Sequence, residues 1–229
     1  MTRPMNKLAR GLLQAVPLSL STLLLTSAVK PEAKTHTPFT LGWKDNILTI
    51  HHPGIPGGRI ETWYLEAYCR PGSTDRAWDK TVIGHKTRLI SINADKTTLK
   101  LRCTLKDGVI VDHVIKAVAD GVSFNLVASN KGDQVSAAHW AQPCTRVGLF
   151  TGTGADVTDS KYAYLGQSFI FQDKDDKPDF MPTAGWSIKG RYTPGQVWCP
   201  KHVPRTDVNP RPLHPDAPHL GLIGCVSDD

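Results

Sequence analysis

The chain has 229 residues, of which 40% are hydrophobic and 21% charged, and its formal net charge at pH 7 is +6. Three bases, Arg3, Lys7 and Arg10, lie in the first ten residues, so the remainder carries an excess of only about +3. This excess is spread along the chain and forms no cluster of Lys and Arg with interleaved aromatic residues. The composition therefore excludes an ordinary nucleic-acid-binding surface, and we expect no nucleic-acid partner.

Residues 1–28 have the pattern of a cleavable signal peptide. The basic start is followed by an apolar stretch over 12–25 and by the small residues Thr26-Ser27-Ala28. The stretch is too short and too polar for a retained membrane helix, which needs about 20 apolar residues. We expect a periplasmic or secreted protein without membrane attachment after cleavage, with 29–38 as a disordered leader and 39–229 as a single folded domain.

The chain contains five cysteines: Cys69, Cys103, Cys144, Cys199 and Cys225. An oxidising compartment permits disulfides, and an odd count leaves at least one thiol outside any pair. Cys103 lies on the apolar face of a predicted strand, so we expect it to be an inert core thiol. A disulfide is expected to involve Cys144 or Cys199.

The clearest structural pattern lies between residues 98 and 129. Apolar residues alternate with polar ones over 99–105, which predicts a strand with one buried face. Asp107-Gly108 and Asp120-Gly121 have the composition of tight hairpin turns, and 109–119 and 122–128 are the strands that follow them. Three consecutive antiparallel strands, a meander, are therefore predicted.

Further strands are predicted at 46–51, 60–69, 88–93, 164–171, 188–192 and 220–226. Many short strands with Gly- and Pro-rich connections favour an all-β fold, an antiparallel β-sandwich. Residues 192–222 are dense in proline, which opposes strand pairing, and predict a long ordered loop over the sandwich. Because the last strand is followed by only a few residues, we expect either that it is an edge strand or that the sandwich is incomplete at its C-terminus.

A first candidate site lies on the strand that carries Glu61, Trp63 and Glu66. Carboxylates interleaved with aromatic residues can form a platform on which a sugar stacks. Glu61 and Glu66 would face opposite sides of a regular strand, so they could share a site only across a bulge. The alternative is a half-exposed strand whose charges lie in solvent.

A second candidate site lies between His139 and Arg146. His139 is the candidate for proton transfer, because histidine is the residue type most often used as a general acid or base near neutral pH. Trp140 could stack on a ligand, Gln142 could bind its hydroxyl groups, and Arg146 could hold a carboxylate through two hydrogen bonds. The alternative is that His139 and Arg146 satisfy backbone carbonyls.

A third candidate site is the proline-rich loop, in which Trp198, Asp207, Asn209 and Arg211 stand on a stiffened backbone. These side chains could form a preorganised ligand site or could satisfy the loop's own backbone groups.

A metal site built from His139, Cys144, Cys199 and His202 is a weaker hypothesis, because the spacing matches no familiar zinc finger. Another histidine, His113, lies on an apolar strand face and is expected to be a satisfied core residue. We predict no cofactor and no bound metal.

Five sequence strings resemble those of a family of uncharacterised exported bacterial β-sandwich proteins. They are WYLEAYCR from Trp63, HWAQPC from His139, PGQVWCP from Pro194, DVNPRP from Asp207 and GLIGC from Gly221. The resemblance runs from about residue 51 to the end and implies no catalytic residue. It implies longer members that continue past Cys225. The pattern of strands is also similar, more loosely, to the large sandwich of aldose mutarotases, which use a histidine as acid. By analogy, His139 of this chain would fill that role.

These observations lead to one favoured function and two alternatives. The favoured hypothesis is a carbohydrate-active or carbohydrate-binding protein that uses the concave face of the sandwich, with a glycan or sugar as its ligand. The first alternative is a non-catalytic structural or interaction module outside the cytoplasm. The second is a metal-bearing domain. The sequence indicates no oligomeric state.

Overall fold

The computed structural model describes residues 38–71, 78–154, 166–171, 177–181, 219 and 222–228. The chain divides into residues 1–35 and 36–229, and the described residues all belong to the second unit. They form an all-β, antiparallel fold with one short helix, α1 (Trp78–Thr81). The strands are β1 (Thr40–Lys44), β2 (Ile47–His51), β3 (Arg59–Cys69), β4 (Val82–Ile83), β5 (His85–Ile92), β6 (Thr98–Leu105), β7 (Val109–Val118), β8 (Gly121–Asn130), β9 (Trp140–Arg146), β10 (Ser168–Phe171), β11 (Pro178–Phe180) and β12 (Ile223–Cys225).

The first sheet is built around β3. Strand β2 pairs with the first half of β3 and β4 pairs with its last two residues, while β9 runs along the opposite edge. Strand β1 joins β2 through a two-residue turn at Asp45 and Asn46, whose φ angles are 51° and 62°. Both turn residues have positive φ, as a type I′ hairpin requires.

The second sheet is the predicted meander, with strand order β5-β6-β7-β8. The first turn forms as expected, because Gly108 adopts a φ of 93° that a side chain would oppose. The second turn was misplaced by one residue. Val118 pairs with Gly121, so Ala119 and Asp120 form the loop and Gly121 begins β8.

A third, small sheet has the order β11-β10-β12. It contains the predicted strands near 164–171 and 220–226 in shortened form, and the two pair with each other through Ser168 and Cys225. The strand expected at 188–192 lies outside the described residues. So does the proline-rich loop, apart from His219 and Leu222.

The main core lies between the first and second sheets. Leu41, Leu48 and Tyr68 from the first sheet pack with Leu101 and Ile115 from the second in one buried cluster. On β6 and β7 every second residue is buried, which is the period-two pattern of a strand with one face on the core. The predicted antiparallel sandwich is confirmed.

Candidate functional site

The site begins with an irregularity in β3. Trp63 pairs with Cys144 and Ala67 with Gln142, so three residues of β3 face a single residue of β9. That single residue is Pro143, which has no N–H to donate to the ladder. Leu65, in the middle of the bulge, adopts a φ of 54°, a conformation rare for a branched side chain. Such local strain is often found at functional sites.

The bulge coincides with a gap in the neighbouring strands. Strand β2 pairs with β3 only as far as Trp63, and β4 begins to pair at Tyr68. In the gap, the Tyr64 N–H donates to the carbonyl of Asn46 at 3.0 Å. His85 Nε2 donates to the carbonyl of Leu65 at 3.1 Å. The turn between β1 and β2 and the start of β5 thus supply hydrogen-bond partners for backbone groups of β3 that have none in the neighbouring strands.

A cleft of about 390 Å³ opens at this gap, and we call it the Glu66 cleft. Such a volume is in the range of small-molecule sites, roughly 300–1,000 Å³. Its lining combines a carboxylate, an amide, an ammonium group and an aromatic ring. The lining residues are Asn46, Trp63, Leu65, Glu66, His85, Lys86 and Thr87.

Glu66 is fixed in this cleft by a predicted site residue of β9. Gln142 Nε2 donates to Glu66 Oε2 at 3.0 Å, so the structure brings together two of the residues selected from the sequence. The bond crosses from the bulge to the adjacent edge strand, and the two residues are 76 positions apart in the chain. One carboxylate oxygen is therefore held in place by the protein itself.

The bulge is the irregularity that the sequence analysis required for Glu61 and Glu66 to lie on the same side of the sheet. Glu61 pairs in register with Arg146, and Glu66 reaches Gln142. Gln142 and Arg146 are four residues apart on β9 and therefore face the same side. Their Cα atoms are separated by about 13 Å at the usual rise of a strand. Glu61 bonds to Arg59 at 2.9 Å and does not line the Glu66 cleft among the described residues.

A buried polar network lies in the core between the two large sheets. His113 is 1% exposed, and its Nδ1 and Nε2 atoms lie 3.1 and 3.3 Å from the hydroxyls of Tyr64 and Tyr68. Burial lowers the pKa of His113 to about 4 and raises the pKa of both tyrosines. Both ring nitrogens have partners, which confirms that His113 is a satisfied core histidine.

His139 and Trp140 line a different cavity, a groove of about 390 Å³ between the edges of the two large sheets, which we call the edge groove. Its lining includes buried apolar residues such as Val111 and two residues of β8, Leu126 and Ala128. Neither the edge groove nor the Glu66 cleft, as lined by the described residues, contains both His139 and Glu66. Proton transfer between His139 and a ligand bound in the Glu66 cleft therefore has no support from these two cavities and stays a prediction. The binding role of Arg146 also stays a prediction.

The other predicted site residues, Trp198, Asp207, Asn209 and Arg211, lie outside the described residues, as do Cys199 and His202. In the described ranges no three His, Cys, Asp or Glu side chains are placed to share a metal ion.

The cysteines correct one expectation. The four described cysteines form no disulfide with one another. Cys69 and Cys144 share a face of the β3–β9 pair but lie near its opposite ends, because Cys69 pairs with Trp140 and Cys144 with Trp63. Their Cα atoms are therefore farther apart than the roughly 7 Å that a disulfide can span. Cys103 is fully buried, and burial raises its pKa, which confirms an inert core thiol.

Sequence reasoning missed most of the lining residues of the Glu66 cleft, among them Asn46, His85 and Lys86. The adjacent Asp45-Asn46 pair is a turn signal that could have placed Asn46 beyond the end of β1. Nothing local connects His85 or Lys86 to Glu66, because β5 approaches the bulge only through tertiary packing.

Comparison with protein-family models, with curated proteins and with solved structures gives no match. The family of exported proteins and the mutarotase-like form of the sandwich therefore stay predictions. Within the part of the chain that the structure describes, no helix has the length and hydropathy to cross a membrane.

Proposed function

We propose that the protein binds a small polyhydroxylated ligand, such as a neutral sugar unit, in the Glu66 cleft. The observation that carries this proposal is the oriented carboxylate. Gln142 bonds to Oε2 of Glu66, and among the described residues no group bonds to Oε1. That oxygen can accept hydrogen bonds from ligand hydroxyls, and bonds to a charged acceptor are stronger than neutral ones.

The remaining lining supports the same class of ligand. Trp63 is 40% exposed and can place its ring against the C–H face of a sugar. The amide of Asn46 and the ammonium group of Lys86 add donors on the other side of the cleft. An aromatic surface with a few polar groups around it is the usual composition of a small-molecule site.

The proposal is one of binding rather than of glycoside hydrolysis. Hydrolysis uses two carboxyl groups about 5–10 Å apart. Of the residues described in the cleft lining, Glu66 alone carries a carboxylate. Glu61 belongs to the Arg59 pair and stands opposite Arg146, about four strand residues from Gln142.

We propose further that binding takes place outside the cytoplasm, in the periplasm or after secretion. This rests on the signal-peptide pattern of residues 1–28. The alternative function, an interaction module, is favoured by one observation, the exposed strand β8.

Thermal unfolding in the presence of sugars tests the proposal. A ligand at 100 times its dissociation constant stabilises the folded state by about 2.7 kcal/mol. For a domain of this size the unfolding temperature would rise by roughly 5–10 °C. A panel of neutral hexoses, pentoses and uronic acids should give a shift with at least one neutral sugar. Uronic acids should bind more weakly, because their carboxylate would meet Glu66.

Glu66→Gln should abolish the shift, because it removes the charge and keeps the shape of the side chain. Glu61→Gln is the matched control and should preserve the shift. If no sugar raises the unfolding temperature of the wild-type protein, or if Glu66→Gln responds as the wild type does, the proposed function is wrong.

A further inference from the structure

Strand β8 forms one edge of the second sheet. In the described part of the chain it pairs with β7 over its whole length and has no neighbour on its other side. Its ten residues, GVSFNLVASN, include no charged residue and no proline. An uncharged, regular edge offers unpaired backbone N–H and C=O groups to any other extended strand.

Two other edges of the sandwich are protected in ways that β8 is not. Strand β5, at the opposite edge of the same sheet, carries Lys86 and Arg88 and has an irregular register between Leu89 and Ser91. Strand β9 carries Pro143 and Arg146. Lys and Arg side chains, proline and bulges all discourage pairing between edges. Their absence from β8 distinguishes this strand within the same molecule.

The side chains of β8 point to the same conclusion. Phe124 and Leu126 pair in register with the buried Ile115 and His113, so they lie on the core face of the sheet. They are nevertheless 44% and 45% exposed, and Leu126 lines the edge groove. On the outer face, three of the five residues of β8 are Ser or Asn. The inner face of β8 is thus a core face that is only half covered.

The polar groups at the rim of the edge groove are already used within the protein. Asn130 donates from Nδ2 to the carbonyl of Gln134 and accepts at Oδ1 from the N–H of Gly132. Ser136 donates to Asp107 and accepts from the N–H of Ala138. The occupant of this edge is therefore recognised by strand pairing and apolar contact.

We propose that a second copy of this chain pairs with β8 through its own β8, in antiparallel orientation around a two-fold axis. The required partner is an uncharged extended strand that is apolar on one face, and β8 itself meets this description. Residues opposite each other in an antiparallel pair lie on the same face of the sheet. The inner face of one copy therefore continues into the inner face of the other, and the two meanders join in one eight-stranded sheet. No like charges meet, since the strand has none.

Sedimentation equilibrium of the purified protein tests this proposal. We expect a concentration-dependent dimer. Asn125→Lys adds a charge on the exposed outer face of β8 and places two lysines near the symmetry axis, so it should give a monomer. Ile90→Lys is the matched control, because Ile90 is an exposed residue of the other edge strand, and this variant should remain dimeric. A wild-type protein that is monomeric at all soluble concentrations would overturn the proposal, as would a dimeric Asn125→Lys variant.

Hydrogen exchange provides a second measurement that needs no substitution. The backbone amides of β8 should be protected at high protein concentration and should lose protection on dilution. Protection that does not depend on concentration would mean that another part of the same chain covers the strand, and this result would also overturn the proposal. Circular dichroism of Asn125→Lys checks that loss of the dimer is not loss of the fold, and Ser123→Lys replaces it if it fails to fold.

Discussion

The buried histidine of the core makes the stability of this protein depend on pH. His113 lies between the Tyr64 and Tyr68 hydroxyls and is 1% exposed, and burial lowers its pKa from 6.5 to about 4. The unfolded chain therefore binds a proton at His113 more readily than the folded protein does. The stability contributed by neutral His113 is complete above pH 6.5 and is lost as the pH falls from 6.5 towards 4.

The magnitude follows from these two pKa values. Between pH 7.5 and pH 5.0 the linkage relation gives a loss of about 2 kcal/mol in the free energy of unfolding from this single group. The loss is a large fraction of the stability of an ordinary domain, about 5–15 kcal/mol. It should be visible in denaturant unfolding curves measured at the two pH values.

His113→Asn tests this expectation. The asparagine does not titrate, so the variant should lose about 2 kcal/mol less than the wild type between the two pH values. At pH 7.5 it should be less stable by about 1–3 kcal/mol, because at least one tyrosine hydroxyl loses its buried partner. His51→Asn, at an exposed position, is the control and should keep the wild-type pH dependence. Equal pH dependence in the wild type and His113→Asn would refute the reasoning.

Two further predictions concern backbone geometry. Lys96 is exposed and has a φ of 57°, so Lys96→Gly should relieve left-handed strain and raise the free energy of unfolding by roughly 0.5–1 kcal/mol in denaturant titrations. A decrease would mean that the turn tolerates lysine without strain. Gly224→Ala should destabilise the small sheet by about 1–3 kcal/mol, because the new methyl group would overlap the ring of Phe169. Unchanged unfolding would show that the ring can move aside.

Several features were predictable because their causes are local in sequence. The alternation of apolar and polar residues over 99–105 defines β6, and the Gly108 turn follows from the freedom of glycine at positive φ. The sequence also predicts that Cys103 and His113 lie in the core, because each is in step with the apolar residues that alternate along its strand. The shift of the second turn by one residue shows the limit of a dipeptide signal, because pairing between β7 and β8 decides where the loop lies.

The candidate site could be predicted only in part. Glu66 and Gln142 were both selected from the sequence, but as members of two separate clusters. Strand β9 was not predicted, because its proline and polar residues resemble a loop. It forms a strand since Pro143 falls opposite the bulge, where the ladder needs no N–H from that residue.

The all-β meander, the buried face of each of its strands and the residue types available for a site follow from local sequence patterns. Which of those residues come into contact depends on the packing of strands that are distant in sequence. Leu65 takes its left-handed conformation, and Glu66 faces Gln142, because β9 joins the edge of β3 from 76 positions further along the chain. The exposure of β8 has a similar origin, since its apolar pattern predicts a covered face. The edge of the opposite sheet ends beneath it, so the inner face of β8 is only half covered.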